Sequence, residues 1–142
     1  MMGEQQRGGK GASWRALGAM IPADHMLHRI DGLIDLGELR DALAPHYSCR
    51  GRPSIAPELL VRMALIARLY GITSERRLCE EVRFNLAYRW FCRLDLEGSV
   101  PDHSTFSKNR HGRFRDSDLL RKLFEMTVER CMREGLVGAE GF

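Results

Sequence analysis

The segment from Ser54 to Tyr70 limits most strongly how this chain can fold. Its apolar residues recur at the three- and four-residue spacing of an α-helix, and Pro57 and Gly71 are typical of a helix start and a helix end. Only Arg62 and Arg68 clearly interrupt its apolar surface. A helix that is apolar nearly all round has to be surrounded by other elements. We therefore expect a central helix on which the rest of the chain packs.

The rest of the chain predicts further helices and no strands. Strand-like alternation and internal repeats are absent, so we expect an all-α, compact bundle of about six helices. Thr73 and Ser74 follow the central helix after a short glycine-containing turn, which is typical of a helix-turn-helix unit. Asn85 is a further candidate helix cap. The predicted boundaries are a flexible tail at 1–20, a helical domain at 21–137 and the approach to a further domain at 138–142.

The composition is compatible with a nucleic-acid partner but does not require one. The 142 residues suffice for one domain, and their formal net charge is +3. A small positive net charge indicates nucleic-acid binding only where the cations are clustered. Four cations and no acidic residue lie between Lys108 and Arg115. No apolar run has the length of a membrane span, and residues 1–13 lack the apolar core of a signal peptide.

The cysteines favour a reduced, cytoplasmic protein without disulfides. None of them has the paired spacing that is typical of zinc ligands. The four are Cys49, Cys79, Cys92 and Cys131. A free cysteine on an apolar helical face behaves as a small buried hydrophobic residue.

Two groups of polar residues resemble a metal site and a catalytic triad in composition but lack the ligands or the geometry that such sites require. His25 and His28 could share one helix face, but no further ligand accompanies them, so we expect no metal ion and no other cofactor. Asp102, His103 and Ser104 have the composition of a hydrolase triad. Adjacent residues on a helix point about 100° apart and cannot form the required proton relay, so no catalytic residue is expected.

The stretch from Pro101 to Phe114 is the strongest candidate for a functional site. Asp102 can cap a helix here, and Phe106 and Phe114 are the only apolar anchors of the segment. Because so short and polar a helix is marginal alone in water, we interpret its many donors as a DNA recognition surface. The alternative is a surface helix that is packed by Phe106 and solvated elsewhere.

The donors of this predicted recognition helix divide between two roles. Hydroxyl and cationic side chains contact phosphates, whereas asparagine and arginine can also pair with base edges. The residues expected on the groove-facing side are Ser104, Thr105, Lys108, Asn109 and His111. The residues expected on phosphates are Arg110, Arg113 and Arg115.

Two pairs of arginines outside this helix are further candidates for DNA contact. Arg50 and Arg52 flank a glycine and precede a proline, a sequence that resembles the minor-groove-binding AT-hook. The alternative for this pair is a turn whose arginines face water. Arg89 and Arg93 are four residues apart, and we expect them to project together from one helix toward solvent or phosphate.

Taken in order, several of these motifs resemble the N-terminal domain of bacterial insertion-sequence transposases of the acidic-triad (DDE) type, in the insertion-sequence-five group. The matching segments cover almost everything after residue 20. They are Asp24-His25, Arg29-Ile30-Asp31, 51–58 (GRPSIAPE), 69–75 (LYGITSE), 85–91 (NLAYRWF), 101–110 (PDHSTFSKNR) and 135–137 (GLV).

The resemblance implies sequence-specific binding of double-stranded DNA at the terminal inverted repeats of a transposable element. In that family the first catalytic Asp follows shortly after the Gly-Leu-Val stretch, and its carboxylates hold divalent metal ions. This chain ends at Phe142, before any such Asp. We therefore expect a chain that takes part in transposition by binding DNA without cutting it, and that has no small-molecule substrate.

Three other interpretations remain open from the sequence. The chain could be a truncated transposase that acts as a regulator by competing for the repeats. It could be an interaction module that forms a homodimer through the long amphipathic helix expected at 117–134. Alternatively, the reading frame could continue into a catalytic domain.

Overall fold

A computed structural model describes residues 14–34, 55–116 and 118–135 of the chain. Throughout these ranges the regular structure is helical, which confirms the predicted all-α fold. The seven helices described are α1 (Trp14–Ala19), α2 (Met26–Asp31), α3 (Pro57–Tyr70), α4 (Glu75–Phe84), α5 (Leu86–Phe91), α6 (His103–Asp116) and α7 (Asp118–Arg133).

Helix α3 is the central helix that the sequence predicts. Pro57 occupies its first turn, and Gly71 ends it in the left-handed conformation with φ of 65°. Eleven of its residues are buried, and Arg62 is one of them. The Arg62 guanidinium is satisfied by the Asp31 carboxylate at 2.7 Å and the Phe91 carbonyl at 2.9 Å. Arg62, one of the two arginines predicted to interrupt the apolar surface of this helix, is therefore part of the core.

The predicted caps are confirmed wherever they lie within the described ranges. Ser74 Oγ accepts from the Arg77 amide at 3.2 Å, and Asn85 Oδ1 accepts from the Tyr88 amide at 3.1 Å. These side chains satisfy first-turn amides that have no partner within their own helix. A four-residue connection separates α3 from α4, and the helix-turn-helix assignment of this pair stays a prediction.

The predicted flexible tail at 1–20 is wrong for its last part. Residues 14–19 form α1, and Leu17 is only 2% exposed. Helix α1 packs so closely on α5 that a Cβ added at Gly18 would lie 2.5 Å from Nε1 of Trp90. Leu17 is the one large aliphatic side chain in this short helix, so it gave no helical periodicity from which burial could be predicted. Residues 1–13 lie outside the described ranges.

The predicted exposure of Arg89 and Arg93 is also wrong. Arg89 is 6% exposed, and its guanidinium donates to the carbonyls of Asp95, Gly98 and Arg83. Helix α5 ends at Phe91, and Arg93 has a positive φ of 61°. The two residues therefore do not share a helix, and the four-residue spacing rule does not apply to them.

Helix α7 closes the described part of the bundle. Val128 and Cys131 face the core, and Arg130 Nη1 donates to the Leu33 carbonyl at 3.1 Å. Gly135 follows the helix with φ of 71°, as expected for a C-cap. Cys79, Cys92 and Cys131 are buried and form no disulfide with one another, whereas Cys49 lies outside the described ranges. None of the described helices is both long and apolar enough to span a membrane.

Candidate nucleic-acid interface

Among the described side chains of helix α6, that of Phe106 anchors the helix on the bundle. Phe106 is 0% exposed, and α6 packs against α4, α7 and the central α3. The helix begins where predicted, because Asp102 Oδ1 accepts from the Thr105 amide at 2.7 Å. This hydrogen bond also lowers the pKa of the Asp102 carboxyl below its ordinary value. With Phe106 pointing inward, the opposite side of α6 has to face solvent.

Most of the predicted groove-facing residues lie on that outer side. Ser104, Thr105, Lys108 and His111 are exposed, and positions 104, 108 and 111 form one row along the helix. Asn109 lies at the edge of this row and is half-buried. Its Nδ2 donates to the Thr105 carbonyl at 2.9 Å, which leaves Oδ1 as the group directed away from the helix backbone.

A carboxylate of α4 engages two of the predicted DNA-binding residues. Glu75 Oε1 lies 3.2 Å from Arg110 Nη1 and 3.2 Å from His111 Nε2. The Glu75 side chain is 19% exposed, although the sequence pattern places it outside. Its position in the first turn of α4 is favourable for a negative charge. Arg110 is therefore held against α4, whereas His111 contacts the same carboxylate but stays 63% exposed on the outer row.

The remaining predicted site residues lie outside the described side chains. The backbone of Arg113 and Arg115 belongs to α6, but the structure does not describe their side chains. Arg50 and Arg52 lie outside the described ranges altogether. The described part of the interface is thus residues 103–111 of α6 and the neighbouring face of α4.

Between α4 and the start of α6 lies an open cleft of about 420 Å³ that the sequence does not reveal. Its lining residues come from both helices. They are Arg76, Cys79, Glu80, Arg83, Asp102 and His103. The only available signal in the sequence was the spacing of Arg76, Glu80 and Arg83, which puts them on one side of α4.

Polar groups line the cleft from both sides. Arg76 Nη2 of α4 lies 3.3 Å from His103 Nε2 of α6. Burial raises the pKa of the Cys79 thiol to about 11, so this thiol stays protonated and is a poor nucleophile.

The two histidines considered as metal ligands have structural contacts instead. His25 Nδ1 accepts from the Leu27 amide at 3.1 Å and caps α2. His28 Nε2 lies 3.2 Å from the Gly18 carbonyl, and its ring packs on Trp90 with centroids 4.1 Å apart. Within the described ranges, no group of three or more His, Cys, Asp or Glu residues is arranged to hold a metal ion.

A protein-family model matches most of the chain. Residues 15–112, which are more than half of the chain, match the model of a family described as Transposase domain (DUF772). The match includes α1 from its second residue, all of α2 to α5 and most of α6. No curated protein and no solved structure matches the chain.

Proposed function

Because the chain belongs to this transposase-domain family and so has a role related to transposition, we propose that it binds the terminal inverted repeats of a transposable element. In this proposal the chain is the N-terminal DNA-binding part of a transposase of the insertion-sequence-five group. The observation that carries it is the row of exposed donors on α6, opposite the buried Phe106. Access to DNA then implies a cytoplasmic location.

The outer side of α6 has the dimensions and the donors that DNA binding requires. An α-helix fits into the major groove of B-DNA, where it can reach base edges. Lys108 and Ser104 supply donors at the centre of the row, and both are exposed. Asn109 Oδ1, at the edge of the row, can accept from a base amino group. We therefore assign phosphate contacts to Lys108 and Ser104, and base reading to Asn109.

We also propose that this chain contributes binding rather than strand cleavage. The exposed row of α6 consists of hydroxyl, amine and imidazole groups. Such groups hold phosphates, whereas two-metal cleavage requires clustered carboxylates. Incubation of the chain with a repeat duplex and Mg²⁺ or Mn²⁺ tests this proposal, and specific nicks at the repeat end would contradict it.

Self-association through α7 is the alternative function. Its described outer side is mainly charged, with Arg121, Glu125 and Glu129 among the exposed residues. The exposed large apolar side chains among the described residues of α7 are Met126 and Met132, at 63% and 36%. A homodimer seam requires a continuous apolar stripe, so these residues favour DNA binding over this alternative. Light scattering of the chain with and without DNA measures the stoichiometry directly.

The binding experiment compares two duplexes by fluorescence anisotropy. One carries the terminal repeat that flanks the coding sequence, and the other is a scrambled duplex of the same composition. Lys108→Ala should weaken binding to both and reduce the slope of log K against log salt by about 0.9, the value for one lost phosphate contact. Asn109→Ala should reduce the preference for the repeat, because a base contact carries sequence information. Unchanged affinity, salt slope and preference in both variants would contradict the proposal.

A further inference from the structure

We propose that the cleft between α4 and α6 binds a backbone phosphate of the same DNA, through Arg76, Arg83 and His103. The inference rests on the proposed function and extends the DNA footprint from α6 onto α4. None of these three residues belongs to the recognition surface expected from the sequence. Their juxtaposition depends on the packing of α4 against α6.

The two arginines are available to an anion. Arg76 and Arg83 are exposed and lie on the same side of α4, where they line the cleft. Neither has a carboxylate partner among the described residues. By contrast, Arg77 on a neighbouring side of the same helix donates to Glu81 at 2.9 Å. On α4, the two arginines that line the cleft therefore have no described carboxylate partner, whereas Arg77, which does not line it, has one.

The contact between Arg76 and His103 is itself suited to an anion. It brings a guanidinium of α4 and an imidazole of α6 to within 3.3 Å of each other. A phosphodiester oxygen that lies between them can accept from the guanidinium and from an imidazole N–H.

The other groups that line the cleft around His103 modify its affinity for a phosphate. On α4, Cys79 is neutral because its pKa is raised to about 11, and Glu80 is exposed and opposes an anion. Before α6, Asp102 accepts from the Thr105 amide and so stabilises the helix start. Glu80 is therefore the group that limits phosphate affinity, since Asp102 is partly neutralised by the amides it caps.

The position of the cleft joins it to the outer row of α6. His103 is followed directly by Ser104, which is exposed on the proposed groove-facing side. A duplex that lies along Ser104 and Lys108 brings a backbone phosphate close to the cleft. One strand of DNA can then contact both helices without a change in the fold.

The test uses the full chain and a terminal-repeat duplex in anisotropy titrations over a range of salt concentrations. Arg76→Ala and Arg83→Ala should each weaken binding several-fold and lower the salt slope by about 0.9. The matched control is Arg77→Ala, which removes the same charge from the same helix and should leave the slope unchanged. Glu80→Gln should strengthen binding. Circular dichroism verifies that each variant is folded.

Replacement of His103 supplies an independent readout from the other side of the cleft. His103→Ala should weaken binding to the repeat duplex, because it removes an imidazole that lines the cleft. Unchanged affinity of this variant would overturn the role of this residue.

Failure of this inference is distinguishable from failure of the proposed function. If Arg76→Ala and Arg83→Ala bind like Arg77→Ala while Lys108→Ala is weakened, the cleft is not part of the footprint and α6 alone contacts DNA. If the chain binds neither the repeat duplex nor its scrambled counterpart, both proposals are wrong.

Discussion

Glu75 shows how a single residue can limit a DNA-binding helix. Among the described side chains of α6, Arg110 donates to this carboxylate and His111 Nε2 lies 3.2 Å from it. Its second oxygen, Oε2, is buried without a partner in the described part of the chain. Because Arg110 is 39% exposed and His111 is 63% exposed, the contribution of these ion pairs to stability is small, about 1 kcal/mol or less. Their main consequence concerns DNA binding, because the Glu75 carboxylate offsets positive charge that α6 would otherwise present to a phosphate.

Replacing this carboxylate should strengthen DNA binding. Glu75→Gln keeps the shape of the side chain but releases Arg110 and His111, so affinity and salt slope should both increase. The matched control is Glu81→Gln, which removes the same charge from α4 but frees Arg77 instead. Anisotropy titrations measure both variants. Weaker binding of the Glu75 variant would mean that this residue orients Arg110 for contact instead of restraining it.

Asp102 should make the stability of the helix start depend on pH. Its hydrogen bond from the Thr105 amide lowers the pKa of the carboxyl in the folded state. The stabilisation is therefore complete above the ordinary carboxyl pKa and is lost as the pH falls through the lowered folded-state value. Asp102→Asn retains a capping side chain without this titration, so its melting temperature should fall less on acidification. Parallel curves for the two proteins in thermal denaturation would show that this carboxyl does not contribute.

At the scale of elements, the sequence predicts local features well and contacts between distant segments poorly. The caps at Ser74, Asn85 and Asp102 were predictable because each involves an amide within three residues. The Glu75–Arg110 pair joins residues 35 apart, and no spacing rule within one helix reports on it. The buried state of Arg89 was missed because its partners are backbone carbonyls outside its own helix. Those of Asp95 and Gly98 lie in the loop after α5 and that of Arg83 lies in α4, and only the folded path of the chain brings them together.

Arg89 holds the loop that leads into α6, so its loss should affect both stability and DNA binding. Its guanidinium lies 2.6 Å from the carbonyls of both Asp95 and Gly98, and it also reaches the Arg83 carbonyl at 3.0 Å. Arg89→Met should destabilise the fold by about 1–3 kcal/mol for each carbonyl that remains buried without a donor. Arg89→Lys should recover part of this loss.

Two measurements test this role of Arg89. Urea denaturation gives the change in the free energy of unfolding, and hydrogen exchange reports on protection of the amides in the first turns of α6. We expect faster exchange there than in α3. Equal protection of α6 in the variant and the unmodified chain would show that the loop is held by other contacts.

At the scale of the whole molecule, a network of one buried and two half-buried charged groups joins the N-terminal helices to the rest of the fold. Asp31 accepts from Arg62 at 2.7 Å and from Arg93 at 2.9 Å. The Arg93 guanidinium also lies 4.2 Å from the ring of Trp14, within range of a cation–π interaction. Burial lowers the pKa of Arg62, and Asp31 opposes that effect by favouring the charged form. Helix α1 is thus tied by charge as well as by apolar packing to α2, α3 and α5.

The resulting prediction is that α1 unfolds together with the bundle. Leu17→Ala removes a side chain that is 2% exposed and should cost about 2–5 kcal/mol of stability. Met20→Ala is the matched control, because this apolar side chain follows α1 directly but is 70% exposed, so its truncation should cost little. Urea denaturation followed by tryptophan fluorescence and by circular dichroism should give coincident single transitions for both variants. If Leu17→Ala is as stable as Met20→Ala, or if the fluorescence change precedes the loss of helix, α1 is a separate appendage. Coincident transitions with a large loss for Leu17→Ala would mean that the folded domain, and the platform under α6, begins before residue 20.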